Sequence, residues 1–600
     1  MQDMLESKFR PVGPWQWVIL VCLVVKPLLF YYLMNIEINF TYLWVSTALF
    51  LILFFSSFHR LWIPIVFYFL FSILMFCDVT FNAYFNGYLS VSMLGSSKYL
   101  GDVTDVIIEV IQPRFFLLLI DLPVLIVALI MNKHKRTNKR WPLVLVLVVL
   151  IAILVVGSVT DIVFLKSMGN LEFFSYHIKD VLAETTGFGL TKIEEEDPLD
   201  YEVDESDLLF GIAEGRNLIV LQMEALQNFV INRDYYGHEI TPVLNNLIKD
   251  KGTIYFDNYY MQIAAGNTSD AEFATNNSLY GSVNSYTYEI YKNNTFRGLP
   301  VLLKERGYST IAMHGYDGSF WSRKDMYPAQ GFDTFIDDKG YKPSKIHGWG
   351  ILDHEFYIQS VEYLIETPQP FYSFMVSLTN HTPFEMDEEL KTIELKDKHI
   401  GTRFGNYLNS IAYCDSAVGV LIDELKKAGL YENTVIAIYG DHFGLAQYDV
   451  DNEVVLTDFL GKPYRFDEMA NIPLIIHIPG EDINQTISIA GGHMDFLPTI
   501  AHLLGFEELN TIYLGQNLFT AESGFVIQNR YAPLGSFIAD DIIYFMSMDG
   551  IFENGKAWKL DTGEAVPIDG LKHLSDRSKG LIMLSEQYLE EDKLAEDKEE

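Results

Sequence analysis

Five apolar runs stand out in the first part of the chain, at residues 15–34, 41–58, 61–78, 115–131 and 141–158. Each approaches the roughly 20 residues that an α-helix needs to cross a bilayer core. A buried helix of a soluble protein would carry polar residues at helical spacing, and these runs carry almost none. The exceptions are Lys26 and Asp121. Lys26 precedes Pro27, so a kinked first span could turn its amine into the bundle; the other reading is snorkelling along the helix toward water. Residues 164–186 mix apolar and charged positions, which predicts a segment lying along the membrane surface. An acidic stretch from Glu194 to Asp207 then reads as a linker ending near Gly215.

From Arg216 the period changes. Short apolar runs at 217–223, 310–313, 372–378, 434–439 and 473–478 alternate with helical patterns at 242–250, 353–366, 404–428 and 495–504. Such alternation predicts a mainly parallel sheet with helices on both faces. The expected architecture is a five-helix transmembrane bundle (1–163), an interfacial helix and acidic linker (164–215), and an extracytoplasmic α/β domain (216–600) with an acidic C-terminal tail.

Charge sharpens this division. The first 163 residues hold 11 of the 43 Lys+Arg and 9 of the 79 Asp+Glu, leaving 32 basic against 70 acidic residues behind them. That balance argues against a nucleic-acid partner, which needs a basic face to replace phosphate counterions. The strongest basic cluster, Lys133, Lys135, Arg136, Lys139 and Arg140, falls between the fourth and fifth runs. It places that loop and the N-terminus in the cytoplasm and everything after Ser158 outside. Val181-Leu182-Ala183 has the small residues of a signal-peptidase cut, so release of the outer domain after Ala183 and an uncut linker both stand as readings. Cys22, Cys77 and Cys414 are too few and too scattered for a disulfide framework or a thiolate metal site.

In sheets of this kind ligands collect beyond the carboxyl ends of the strands, and polar residues fall there four times. Glu224 follows 217–223, His314 ends 310–313, Asn380-His381 follows 372–378, and Gly440-Asp441-His442 follows 434–439. Glu224, Asp441 and His442 offer two carboxylates and an imidazole, a donor set suited to Mn²⁺ or Mg²⁺, with Zn²⁺ possible. The stretch Ala264 to Phe273 places Thr268 and Ser269 after a small-residue turn. Either hydroxyl could cap the helix, with Glu272 closing a capping box on Ser269. A hydroxyl at a helix N-terminus beside a metal could equally ionise to a nucleophile. His493, in Gly491-Gly492-His493-Met494-Asp495, reads either as a loop histidine or as a second-metal ligand.

Five motifs appear in order: Gln222-Met223-Glu224; Gly266 to Phe273; Ser319-Phe320-Trp321-Ser322-Arg323; Asn380-His381-Thr382-Pro383-Phe384; and Tyr439 to Gly444. With the membrane topology, they resemble the lipoteichoic acid synthase family, the sulfatase-like branch of the alkaline phosphatase superfamily. The resemblance implies Glu224, Asp441 and His442 as metal ligands, and Thr268 as both nucleophile and fourth ligand. It implies that His314, Trp321, Arg323 and His381 hold the glycerol-phosphate head group. Many members have a Lys where Asn267 stands, and that substitution removes a cation beside the phosphate. The implied function is glycerol-phosphate transfer from phosphatidylglycerol, through a covalent Thr268 intermediate, to a growing polyglycerol-phosphate chain or its glycolipid anchor. The alternatives are a primase adding the first unit, a phosphoethanolamine or glucan phosphoglycerol transferase, and a non-catalytic membrane scaffold.

Overall fold

The computed structural model describes residues 14–36, 40–56, 62–85, 87–91, 110–131, 163–186, 209–283, 285–342, 345–447, 449–528 and 530–595. The chain divides into two compact units, Met1–Lys192 with Ser547–Asn554, and Ile193–Met546 with Gly555–Glu600. A short piece of the expected 216–600 domain thus groups with the N-terminal unit.

In the N-terminal unit the first four apolar runs are helices: α1 (Pro14–Leu33), α2 (Phe40–Ser56), α3 (Trp62–Phe85) and α4 (Leu117–Met131). Among the described residues, Ile65–Ala83 and Pro113–Met131 are long and apolar enough to cross a membrane, while Trp17–Leu33 and Thr41–Phe50 are shorter apolar helices. The fifth run and its basic loop lie outside the described residues, so of the expected five helices the first four are described. Lys26 turns inward and does not snorkel. It is 2% exposed, donates to Ser72 Oγ (2.7 Å) and the Leu118 carbonyl (2.6 Å), and pairs with Asp121 at 2.8 Å.

The segment expected on the membrane surface folds as α5 (Val163–Leu171) and α6 (Phe173–Thr186). It packs into the bundle, with Met168 and Phe173 in the core cluster. Buried Glu172, at the break between the two helices, accepts from Ser46 Oγ (2.5 Å) and the Ser175 N–H (2.7 Å). These bonds draw a residue of charged type inward where periodicity alone would leave it outside. Val181-Leu182-Ala183 lies within α6, whereas proteases take extended backbone.

The larger unit is built on β1 (Asn217–Met223), β2 (Thr253–Tyr260), β3 (Ser309–His314), β4 (Thr334–Ile336), β5 (Phe371–Val376), β6 (Thr434–Gly440), β7 (Asn471–His477), β8 (Asn484–Ile487) and β9 (Gly491–Gly492). They form one nine-stranded sheet in the order β8-β2-β7-β6-β1-β5-β3-β4, with β9 also on β2. The centre, β6-β1-β5-β3-β4, is parallel, and β7 enters antiparallel between β6 and β2. β1 is buried at all seven positions, as a central parallel strand covered on both faces must be. Its helices include α7 (Pro242–Lys249), α8 (Thr268–Asn277), α9 (Asp353–Glu366), α10 (Arg403–Ala428) and α11 (Phe496–Leu503). Five short antiparallel strands follow: β10 (Phe525–Gln528), β11 (Ser536–Ala539), β12 (Ile542–Phe545), β13 (Lys556–Lys559) and β14 (Ala565–Val566). The predicted strands and helices recur within two residues at each end. The Thr253–Tyr260 strand and the second sheet have no counterpart in the predicted elements.

Candidate active site

Parallel pairing aligns Gln222 with Tyr439 and Met223 with Gly440, so β1 and β6 end side by side. Their next residues, Glu224 and Asp441-His442, therefore emerge at one edge. The close approach is specific: a Cβ on Gly440 would fall 1.9 Å from the Leu226 carbonyl oxygen. Ala225 takes a left-handed φ of 53° directly after Glu224, turning the chain away from the sheet. Its N–H donates to Asp441 Oδ1 (2.7 Å), as does the His442 N–H (2.7 Å). Asn380 Nδ2 donates to the Glu224 carbonyl (3.0 Å), and the Glu224 N–H to Ser377 Oγ (3.0 Å). Both carboxylates are thus oriented from their backbones.

Their remaining oxygens carry the chemical information. Glu224 Oε2 and Asp441 Oδ2 are buried with no hydrogen-bond partner. His442 Nε2 stands 3.6 Å from Glu224 Oε1 and 3.4 Å from Asp441 Oδ2. Nδ1 of that ring lies 2.9 Å from the Phe443 carbonyl, which fixes the proton there and leaves Nε2 as a lone-pair donor. Burial, then the neighbouring Asp441 charge, pushes the Glu224 carboxyl well above the usual range. Two buried carboxylates with orphaned oxygens are costly unless a cation compensates them. Among the described residues, Glu224, Asp441 and His442 are the group whose ligand atoms lie within 4.8 Å of one another. Two oxygens and an imidazole fit a divalent metal.

Thr268 opens α8 beside them, with Oγ1 3.3 Å from His442 Nε2. Gln222 Nε2 holds its carbonyl at 3.1 Å, and Gln222 is in turn held by the Tyr439 hydroxyl (2.6 Å). The expected capping box does not form. Asn267 is the N-cap residue without a side-chain cap bond, Ser269 Oγ donates to the Gly266 carbonyl, and Glu272 is used elsewhere.

Glu272 binds Arg323. The guanidinium, 2% exposed, gives Nε (3.0 Å) and Nη2 (2.6 Å) to Glu272 Oε1. Tyr327 donates its hydroxyl to Oε2 (2.6 Å). The forked donor pair expected to face a phosphate is therefore taken by a carboxylate, leaving Nη1 outside that pair.

His314 is buried, its Nδ1 3.0 Å from the Val376 carbonyl. Burial first, then the Arg323 charge, pushes its pKa well below the usual histidine value. His381 is half-buried, its Nδ1 2.9 Å from the Thr382 carbonyl, its ring 4.4 Å from that of Trp349. Burial pushes its pKa down to about 4, helped by the nearby His442. Trp321 is half-buried, with a left-handed φ of 56° and its ring 4.5 Å from Tyr286. His493 has both nitrogens engaged: Nδ1 accepts from the Gln262 N–H (3.1 Å), and Nε2 faces the Gly440 carbonyl (3.0 Å). That arrangement is a strut behind Gly440 and leaves no lone pair for a second metal.

Comparison with known proteins identifies the family. The family model of the lipoteichoic acid synthase N-terminal domain matches residues 1–171, and the sulfatase model matches 216–506. A lipoteichoic acid synthase-like protein of Bacillus subtilis, YvgJ, is 32% identical over 79% of this chain and 80% of its own length. Lipoteichoic acid synthase 2 of Bacillus subtilis is 30% identical over 83% and 80%. The chain belongs to the lipoteichoic acid synthase family. The crystal structure of the lipoteichoic acid synthase LtaP from Listeria monocytogenes superposes with a TM-score of 0.61 at 27% identity, covering 66% of this chain and 97% of that one. An alkaline phosphatase superfamily protein from Vibrio parahaemolyticus shares the fold, with a TM-score of 0.52 at 19% identity over 68% of this chain and 95% of that one. As a member of this family the protein is a membrane-associated phosphotransferase.

The Gln222 clamp, the Glu272–Tyr327 grip on Arg323 and the Trp349 wall beside His381 lie beyond the sequence expectations. Gln222 is part of a motif quoted above, one residue from a predicted strand end; Trp349, between two glycines, carries no local signal.

Proposed function

We propose that the protein moves glycerol phosphate from phosphatidylglycerol to a growing polyglycerol-phosphate chain or its glycolipid anchor. The observation that carries this is Thr268 Oγ1, 3.3 Å from His442 Nε2 and beside two orphaned carboxylate oxygens. Glu224, Asp441, His442 and Thr268 would hold the divalent metal; the oxygen-rich set favours Mn²⁺ or Mg²⁺ over Zn²⁺, and its one imidazole favours Mn²⁺ over Mg²⁺. When bound, that ion supplies positive charge that acidifies a neighbouring hydroxyl and stabilises phosphoryl oxygens.

The chain's own residues do the rest. Thr268 Oγ1 forms a bond to phosphorus while the bond to the diacylglycerol oxygen breaks. His381, neutral at pH 7, takes the threonine proton at Nε2 and passes it to that leaving oxygen. In the second half an acceptor hydroxyl attacks phosphorus as His381 Nε2 takes its proton, the Thr268–phosphorus bond breaks, and the same imidazole delivers that proton to Oγ1. Arg323, through Nη1, and His314, through Nε2, hold the phosphate and glycerol, and Trp321 walls them. Glu272 locks the Arg323 plane in advance, so little side-chain entropy is lost on binding.

The topology that serves a lipid donor has five spans, a cytoplasmic N-terminus and the catalytic unit outside. The test is release of diacylglycerol from phosphatidylglycerol vesicles by the full-length protein with Mn²⁺. Release that chelation stops and Thr268→Ala abolishes supports the reading. Release that persists in Thr268→Ala overturns the covalent route, and release from phosphatidylethanolamine alone overturns the donor.

A further inference from the structure

The turn that carries Thr268 is strained, and two features hold it. Asn267 sits at φ 44°, ψ −104°, a region that non-glycine residues leave unless the surroundings enforce it. From beneath, Asp270 accepts from the Gly266 N–H (2.6 Å), the Ala264 N–H (3.1 Å) and Thr287 Oγ1 (2.6 Å). A Cβ on Gly266 would fall 2.4 Å from Ser269 Oγ, so the turn has no slack on that side. The second feature comes from far along the chain. Tyr531 donates its hydroxyl to Asn267 Oδ1 at 3.0 Å. Its ring meets Phe443 edge-on, centroids 4.7 Å apart at 87°. Phe443 follows His442 directly, and its carbonyl faces His442 Nδ1. Tyr531 and Phe443 are 2% and 5% exposed, so neither ring has room to swing.

One side chain therefore touches both halves of the site. Through its hydroxyl Tyr531 grips the residue before Thr268; through its ring it backs the residue after His442. We infer that Tyr531 is a positioning residue, setting the distance between Thr268 Oγ1 and the Glu224–Asp441–His442 ligand atoms by way of Asn267 and Phe443. This rests on the proposed role of those four residues and adds a fifth, which touches neither metal nor substrate.

The test uses the full-length protein with Tyr531→Phe, Asn267→Gly and the double variant. Mn²⁺ affinity is read by calorimetry, and kcat and KM by diacylglycerol release. Phenylalanine keeps the ring against Phe443 and removes only the hydroxyl. Glycine accepts positive φ without a tether, so it probes the contact from the other end should Tyr531→Phe fail to fold. We expect Tyr531→Phe to weaken Mn²⁺ binding and lower kcat, each by about tenfold, as loss of a residue supporting metal ligands does. KM should stay within about twofold and Tm should not move, a split that simple loosening of the fold would not produce. The double variant should be no worse than the poorer single one, because both cut the same link. Unchanged Mn²⁺ affinity in Tyr531→Phe, or fully additive losses, would overturn the inference. Because the Mn²⁺ arm needs no substrate, a wild type that binds Mn²⁺ but ignores phosphatidylglycerol would sink the donor assignment and leave positioning to be judged on affinity alone. A wild type that binds no Mn²⁺ would overturn both.

Discussion

Both units bury charged side chains, and they treat them in opposite ways. In the apolar helices, Lys26 meets Asp121 at 2.8 Å, adds two further hydrogen bonds, and lies 4.4 Å from the centre of the Tyr68 ring. Asp121 Oδ1 accepts no well-aligned hydrogen bond, but it faces the opposite charge of Lys26. In the catalytic unit Glu224 and Asp441 converge with like charge, and each leaves one oxygen orphaned. A buried pair that satisfies itself holds helices together; a buried pair that does not is a socket for something positive. Burial of charge alone distinguishes neither case, and the accounting of each oxygen and proton does.

The comparison is sharpest where its two sides are broken. Thr268→Ala should lower diacylglycerol release by about 10⁴-fold or more, since losing a nucleophile removes the pathway itself. Its Tm without metal should be that of the wild type, because the side chain holds no element in place.

Lys26→Met is the counterpart. It strands Asp121 among apolar helices and should cost about 3–5 kcal/mol, read as lost stability in detergent. Lys26→Met with Asp121→Leu should recover most of that loss. A double variant as unstable as the single one would break the claim that the pair is self-satisfied.

Asp441→Asn should do the reverse of Lys26→Met and raise Tm without metal, by relieving like-charge repulsion with Glu224. Mn²⁺ at about 100 times its Kd should add about 2.7 kcal/mol to the wild type and nothing to Asp441→Asn. A metal-free Tm that falls in Asp441→Asn would contradict the socket reading.

The smallest effect is a pH slope from an acid outside the site. Burial pushes Asp415 up to about 7, against the Val243 and Leu244 N–H bonds it accepts. The folded state therefore keeps a proton that the unfolded chain loses near pH 4. Stability should fall as pH rises from about 4 to 7, by at most about 1.4 kcal/mol per pH unit from this residue, and flatten above 7. Asp415→Asn should reduce that slope in pH-dependent denaturant melts.

Much of this was legible where local pattern decides structure. Residues 218–221 are apolar without a break, with Arg216 before the run and Glu224 just after its end, so the strand and the polar residue beyond it are both visible. Glu224, Asp441 and His442 sit at adjacent strand ends because the sheet is parallel there, a consequence the alternation implies. Thr253–Tyr260 carries no clear strand signal because Asp257-Asn258 interrupts its apolar run, while hydrogen bonding to β7 sustains the strand. The second sheet is made of strands of two to four residues, too short for a period to register. The Arg323–Glu272 pair spans 51 positions and shows only in three dimensions, which is why the guanidinium reads as a free fork in the sequence. Asn267 looks like an ordinary cap until Tyr531, 264 residues on, is seen to hold it.

The central claim is that Thr268 becomes covalently loaded with the donor's head group. The most direct measurement is the intact mass of the full-length protein, quenched in acid after incubation with phosphatidylglycerol and Mn²⁺, with Thr268→Ala alongside. The account predicts a gain of one glycerol-phosphoryl group on the peptide containing Thr268, absent from the variant, with diacylglycerol released in equal amount. Diacylglycerol formed under single-turnover conditions with no adduct at any time, or an adduct that Thr268→Ala retains, would contradict it.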